Sequence, residues 1–176
     1  MSAIKTIVLI VGHGAGDSGA SGWNGMSEFN YNSFVAEEIA KANTGKQIEI
    51  VYRGASGIKG AAKKAMSYKA DMTIEMHLNA FNKTAVGCVV LTLEDKISIE
   101  YGRKFSEAFC KRFNRKIRDV DGVKELKKND RGNYSLALCN DPPPSILLES
   151  FFIDNPSEWI DPAIYADFLI EWVKTL

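Results

Sequence analysis

The sequence predicts an α/β fold of three layers, a mostly parallel twisted sheet with helices on both faces. Apolar, β-branched runs such as residues 4–11 (IKTIVLIV) recur along the chain, the pattern of strands buried on both faces of a sheet. Stretches with apolar residues at helical spacing separate them, and strands that alternate with helices imply parallel crossover connections. A length of 176 residues, 45% of them hydrophobic, fits one domain with a substantial core.

The first strand, residues 4–11, is closed by Gly12. From Ser27 the period turns helical, with Tyr31, Val35, Ile39 and Ala42 on one stripe and Glu37, Glu38 and Lys41 off it, until residues 43–45 end the pattern. Residues 48–52 read as a second strand, and residues 57–70 as a weaker helix carrying Ile58, Ala61, Ala62, Ala65 and Met66. Residues 71–78 and 87–93 follow as the third and fourth strands. Residues 95–117 predict the longest helix, with Ile97, Tyr101, Phe105, Phe109 and Phe113 at four-residue steps. Residues 118–134, rich in charge and holding Gly122, Asn129 and Gly132, predict a loop in which VKELKK has the option of a turn or two of helix. SLALC and SILLES, separated by Asp141 and three prolines, predict a short segment and a central strand. Asp161 and Pro162 supply the N-cap and first position of a closing helix that runs through Trp172 and Val173.

Several function classes are excluded at this level. Lys and Arg together number 22, as do Asp and Glu, so no overall field draws the chain to nucleic acid or an anionic membrane. The basic run Lys111 to Arg118 reads as the solvated end of the long helix, where cations suit the dipole. No segment approaches the roughly 20 apolar residues of a membrane span, so no membrane insertion is expected. Cys88, Cys110 and Cys139 match no metal or redox spacing and are expected as reduced core thiols made in a reducing compartment. The apolar run before Gly12 and His13 is short for an export signal, so synthesis in the cytoplasm without a signal peptide is expected.

The chain has two histidines, and both are expected just beyond strand ends: His13 after the first strand and His77 at the end of the third. Functional groups of open α/β sheets collect at that edge. Gly14, Gly16 and Gly19 spell a dinucleotide fingerprint. No helix opens there at once, however, and the second strand ends in Tyr52 and Arg53 rather than an acidic residue. Glycines around His13 instead let an imidazole approach a site closely. Catalytic zinc takes three protein ligands and keeps an open position; His13 and His77 supply two, and Glu28, in the first turn of the first helix, is the natural third. Taken singly, each histidine fits a structural role as well as a ligand.

Four segments in order, VGHGAGDSGA, GMSEFN, IEMHLNAF and ILLESFFIDN, resemble the successive motifs of the zinc-dependent N-acetylmuramoyl-L-alanine amidases, a family that includes bacterial autolysins and phage endolysins. Carried over by position, the resemblance implies His13, Glu28 and His77 as zinc ligands, Glu149 as the catalytic glutamate, and Arg53 and Asn79 beside the substrate groove. It implies hydrolysis of the amide between N-acetylmuramic acid and L-alanine, with the carbonyl polarised and the water acidified by zinc while Glu149 relays the proton. The sequence also departs from the family. Ile10 stands where a carboxylate is common three residues before the first histidine, and Glu75 stands where a small residue is usual. Glu75 shares a strand face with His77 and is expected either to replace the missing carboxylate or to line the groove. Ser150 and Phe151 replace a glycine-like stretch after Glu149.

The expectation is therefore a single catalytic domain over residues 1–176, monomeric, acting on peptidoglycan without a separate wall-binding domain. It resembles a phage or prophage endolysin that reaches the wall by another route. The span between His77 and Glu149 leaves little room for an inhibitory helical insertion, so constitutive activity is expected. The alternatives are a zinc peptidase or carboxypeptidase acting on another bond of wall peptides, and a wall-binding module without catalysis.

Overall fold

The computed structural model describes residues 4–14, 16–139 and 144–176. The elements in chain order are β1 (Thr6–Val11), α1 (Glu28–Lys41), β2 (Gln47–Tyr52), a 3-10 turn (Gly54–Ser56), α2 (Gly57–Ser67), β3 (Met72–Asn79), β4 (Val89–Thr92), α3 (Lys96–Phe113), β5 (Val123–Glu125), α4 (Asn133–Cys139), β6 (Ser145–Phe152) and α5 (Pro162–Lys174). They build one six-stranded sheet in the order β2-β1-β3-β6-β4-β5. All neighbours are parallel except β4 and β6, which run antiparallel. The predicted three-layer α/β architecture is the one observed.

The layers follow from period-two alternation along the strands. Ile7, Leu9 and Val11 of β1 and Met72, Ile74 and Met76 of β3 join Tyr31, Phe105, Phe109 and Tyr165 of α1, α3 and α5 in the main core. Val8 and Ile10 point to the other face, against Ala61, Ala62 and Ala65 of α2 and Cys139 of α4. Small alanines let α2 lie close to the sheet there. Ser27 caps α1 by accepting from the Asn30 N–H (3.2 Å), and Asp161 caps α5 by accepting from the Ala163 N–H (2.9 Å).

The segment expected as a loop holds more structure than its composition suggests. VKELKK contributes β5, not a helical turn: Val123 to Glu125 pair with Val90 to Thr92 on the open edge of β4, and Leu126 then buries against Leu136 and Leu147. SLALC lies in a helix, α4, whose Leu136 and Cys139 share one buried face three residues apart. The break at residues 141–143 lies outside the described residues. Ser150 and Phe151 are core residues. The Ser150 hydroxyl bonds the Tyr165 hydroxyl at 2.6 Å, and Phe151 packs between Tyr31 and Tyr165. All three cysteines are free and buried, and among the described residues no helix is long and apolar enough to cross a membrane.

The topology also selects a place for a ligand. β2 lies on one side of β1 and β3 on the other, so the strand order reverses between β1 and β3. The crevice outside the carboxyl ends at such a point is where ligands of open α/β sheets bind.

Candidate metal centre

His13 follows β1 and His77 lies near the end of β3, so both project into that crevice. Their rings meet edge to face with centroids 4.9 Å apart. The approach depends on Gly12, where a Cβ would fall 2.2 Å from His77 Cε1. His13 itself adopts φ +65°, a left-handed conformation that a non-glycine residue takes only when its surroundings impose it. Glu28, the first residue of α1, completes the group. Its carboxylate accepts from the Ala20 N–H (2.9 Å) and the Leu78 N–H (3.0 Å), while Asn32, one turn later, donates to the Met76 carbonyl (3.2 Å). Two backbone donors and a helix anchor thus fix the carboxylate between the rings.

His13 Nε2 stands 3.4 Å and His77 Nδ1 2.9 Å from opposite oxygens of Glu28. One ligand atom from each of His13, Glu28 and His77 lies within 4.8 Å of the others, so these three residues could hold a metal ion. The remaining nitrogen of each ring already has a carboxylate. Asp17 Oδ2 is 3.0 Å from His13 Nδ1, and Glu75 Oε1 is 3.0 Å from His77 Nε2. Glu75 is buried, accepts a short hydrogen bond from the Ser135 hydroxyl and sits 3.7 Å from Arg53 Nη1. Asp17 and Ser135 were not singled out from the sequence. Asp17 carried a signal, four residues after His13 in the same glycine segment, whereas Ser135 is brought in only by the packing of α4.

The electrostatics follow from this crowding. Burial opposes ionisation of Glu28, yet hydrogen bonds to the two imidazoles hold its pKa well below the usual carboxylate range. Burial likewise disfavours the His77 imidazolium, but Glu28 and then Glu75 more than offset it and push the pKa up to about 10. The His13 pKa is raised chiefly by Glu28, against the opposing effect of burial. Glu149 behaves oppositely. It pairs in register with His77 across β3 and β6, and burial pushes its pKa up to about 7 against the nearby His77. Its Oε2 is buried without a hydrogen-bond partner.

A cavity of about 410 Å³ opens onto this group, lined among others by His13, His77, Glu75, Glu149, Arg53 and Asn79. The structure therefore brings the residues that the resemblance implied to one site, with Glu28 joined to it through the two rings rather than lining the cavity. Trp23 is apart from the cavity lining. It is half exposed and stands edge-on to Trp159 at 6.4 Å.

Comparison with known proteins bears on fold and family. The chain is similar to the N-acetylmuramoyl-L-alanine amidase from Clostridium difficile 630, at 24% identity and a TM-score of 0.77 over 99% of this chain and 95% of that one. It is similar to the catalytic domain of the CD27L endolysin targeting Clostridia difficile, at 24% identity and a TM-score of 0.70 over 97% of each chain. Cwp6 from Clostridium difficile matches at 28% identity and a TM-score of 0.67, over 99% of this chain but 28% of that one. Comparison with curated protein sequences gives no match. Residues 7–159 match the N-acetylmuramoyl-L-alanine amidase family, and over that span, most of its length, the protein belongs to this family of peptidoglycan hydrolases.

Proposed function

We propose that this amidase cleaves the bond between the lactyl group of N-acetylmuramic acid and the L-alanine of the stem peptide, with zinc held by His13, Glu28 and His77 and the proton carried by Glu149. The observation that supports this most is the convergence of those three ligand atoms within 4.8 Å beside a buried, unpartnered carboxylate. The donor set fits zinc, which takes imidazole nitrogen and carboxylate oxygen from three protein ligands in catalytic sites. The outer carboxylates fit as well. With an N–H aimed at Asp17, His13 keeps its lone pair on Nε2; with an N–H aimed at Glu75, His77 keeps its lone pair on Nδ1. Both lone pairs then face the Glu28 carboxylate.

When bound, zinc supplies a polarised scissile carbonyl and a more acidic water. Glu149 does the rest from its own environment. A pKa of about 7 lets it hold or release a proton near neutrality, so it can accept from the attacking water and then donate to the departing alanine amine. Among the described residues no protein donor holds its Oε2. Arg53 and Asn79 line the same cavity and are assigned to the substrate; Arg53 is steadied by Glu75. The reading extends to an endolysin role with constitutive activity, supported by the likeness to an endolysin catalytic domain. Among the described residues, moreover, the chain between β3 and β6 is occupied by β4, α3, β5 and α4 without an added helical insertion.

Digestion of purified peptidoglycan by the protein, with and without a chelator, tests the proposal. New amino-terminal L-alanine that disappears on chelation and returns with zinc is the expected result. Other new amines would point to a peptidase of related layout, and the absence of any cleavage to a wall-binding module.

A further inference from the structure

Arg118 is built into place, yet one of its donors has no partner among the described residues. Its backbone N–H donates to the Cys88 carbonyl (2.9 Å). Its stem crosses Gly87, where φ is +105° and a Cβ would stand 2.9 Å from Arg118 Cγ. Its guanidinium carbon lies 5.0 Å from the centroid of the buried Phe152 ring. Despite this support, Nη1 is buried and has no hydrogen-bond partner. Among the described residues no carboxylate forms an ion pair with Arg118; the nearby Arg115 takes Glu158 and Arg103 takes Asp121. A buried cationic donor left unpaired is costly, and such groups in native proteins call for a partner that the fold does not supply.

The cavity that holds His77 and Glu149 is the one Arg118 lines, together with Lys124 and Arg131. Neither of these two has an ion-pair partner among the described residues. Asp119 and Asp130 also line it, but Asp130 turns an oxygen to the Lys127 N–H (2.9 Å), and neither pairs with the three cations. The second orphaned atom of the cavity is Glu149 Oε2; Arg118 and Arg131 are near enough to favour the charge of Glu149, yet neither forms an ion pair with it. A group that fills this space therefore lies against the side chains of Glu149 and Arg118 together.

We propose that Arg118, supported by Lys124 and Arg131, forms an anion subsite that binds a free carboxylate of the stem peptide, carried by the residue after the L-alanine. The proposal rests on the amidase reading and names the class of substrate: an acidic stem peptide rather than an amidated one. A guanidinium fork matches the two oxygens of a carboxylate, whereas a carboxamide offers one acceptor and turns its own N–H donors against those of the arginine.

The test compares two ligands that differ at one group, the γ-methylamide of N-acetylmuramoyl-L-alanyl-D-glutamate with a free α-carboxylate and its α-carboxamide, the blocked γ-position leaving no other carboxylate in either. Binding and kcat/KM are measured for the wild type, Arg118→Gln and Arg118→Lys, with circular dichroism to confirm folding. The wild type is expected to favour the carboxylate by about tenfold or more, the usual scale of a charged hydrogen bond. Arg118→Gln is expected to bring the ratio to within about twofold and Arg118→Lys to keep part of it, since the ammonium retains charge without the fork. Equal handling of both ligands by the wild type overturns the subsite, even if neither variant folds. A preference that persists in Arg118→Gln overturns it as well. If the wild type cleaves neither ligand but binds the carboxylate form better through Arg118, the amidase reading fails and the subsite stands.

Discussion

The substitution Glu149→Gln should cost turnover and at the same time stabilise the metal-free protein at alkaline pH. Below its ordinary pKa of 4.5 the glutamate side chain is protonated whether the chain is folded or not, and its burial involves no charge. Between 4.5 and about 7 the unfolded chain releases a proton that the folded chain retains, so folding stability falls as pH rises. Above about 7 both states are ionised and the deficit is constant. At about 1.4 kcal/mol per pH unit the window corresponds to a loss of about 3 kcal/mol, a large part of the margin of a domain this size. The carboxamide of the variant would keep the shape without the titration, so the stability difference between variant and wild type should grow by about 2–3 kcal/mol from about pH 5 to about pH 8.5. Urea unfolding in the presence of a chelator measures it at each pH. Because packing changes caused by the substitution are independent of pH, only the change in the difference reports on ionisation. A divalent cation in the site favours the carboxylate and should narrow the gap. A difference that stays constant with pH would refute the claim that burial governs Glu149.

Other outcomes follow from the same geometry. Glu75→Ala should lower zinc affinity by about 10–100-fold, because His77 Nε2 loses its carboxylate, with Glu75→Gln intermediate; competition with a fluorescent zinc chelator reads both. Asp17→Ala should have a smaller effect by the same assay, since the Asp17 side chain is 69% exposed and water can replace it at His13 Nδ1. Tyr31→Phe should cost about 1–3 kcal/mol in urea unfolding, because the buried Ile160 carbonyl loses its 2.9 Å donor. Activity on purified walls should not require an added protein, and a dependence on one would remove the constitutive reading.

How much could be read in the sequence depended on length and period. β1, β3 and α1 carry long, regular patterns, so both histidines and Glu28 could be assigned to one edge of the sheet before any coordinates. β5 has three residues and α4 seven, too few for either period to declare itself, and each forms because a neighbour offers an edge or an apolar hollow. The outer layer of the site was less legible for a different reason. Glu75 stood out by its alternation with His77. Arg118, however, reaches the cavity from a charged segment that reads as surface, and Ser135 from a helix too short to declare itself. Nothing in a linear sequence marks an arginine donor as unpartnered; that property exists only once the fold has left Arg118 without an ion pair among the described residues.

The register of the sheet gives Glu75 a meaning beyond its own contacts. Ile10, where the family commonly has a carboxylate, is the direct cross-strand partner of Glu75 in the parallel pairing of β1 with β3. Set against the motifs the chain resembles, the acidic group stands one strand over at the same level of the sheet, and Ile10 packs against the alanines of α2. Judged column by column, the chain would score as a defective family member with one acid lost and another misplaced. Judged by rungs of the ladder, the two departures stand side by side, and they should be engineered as a pair.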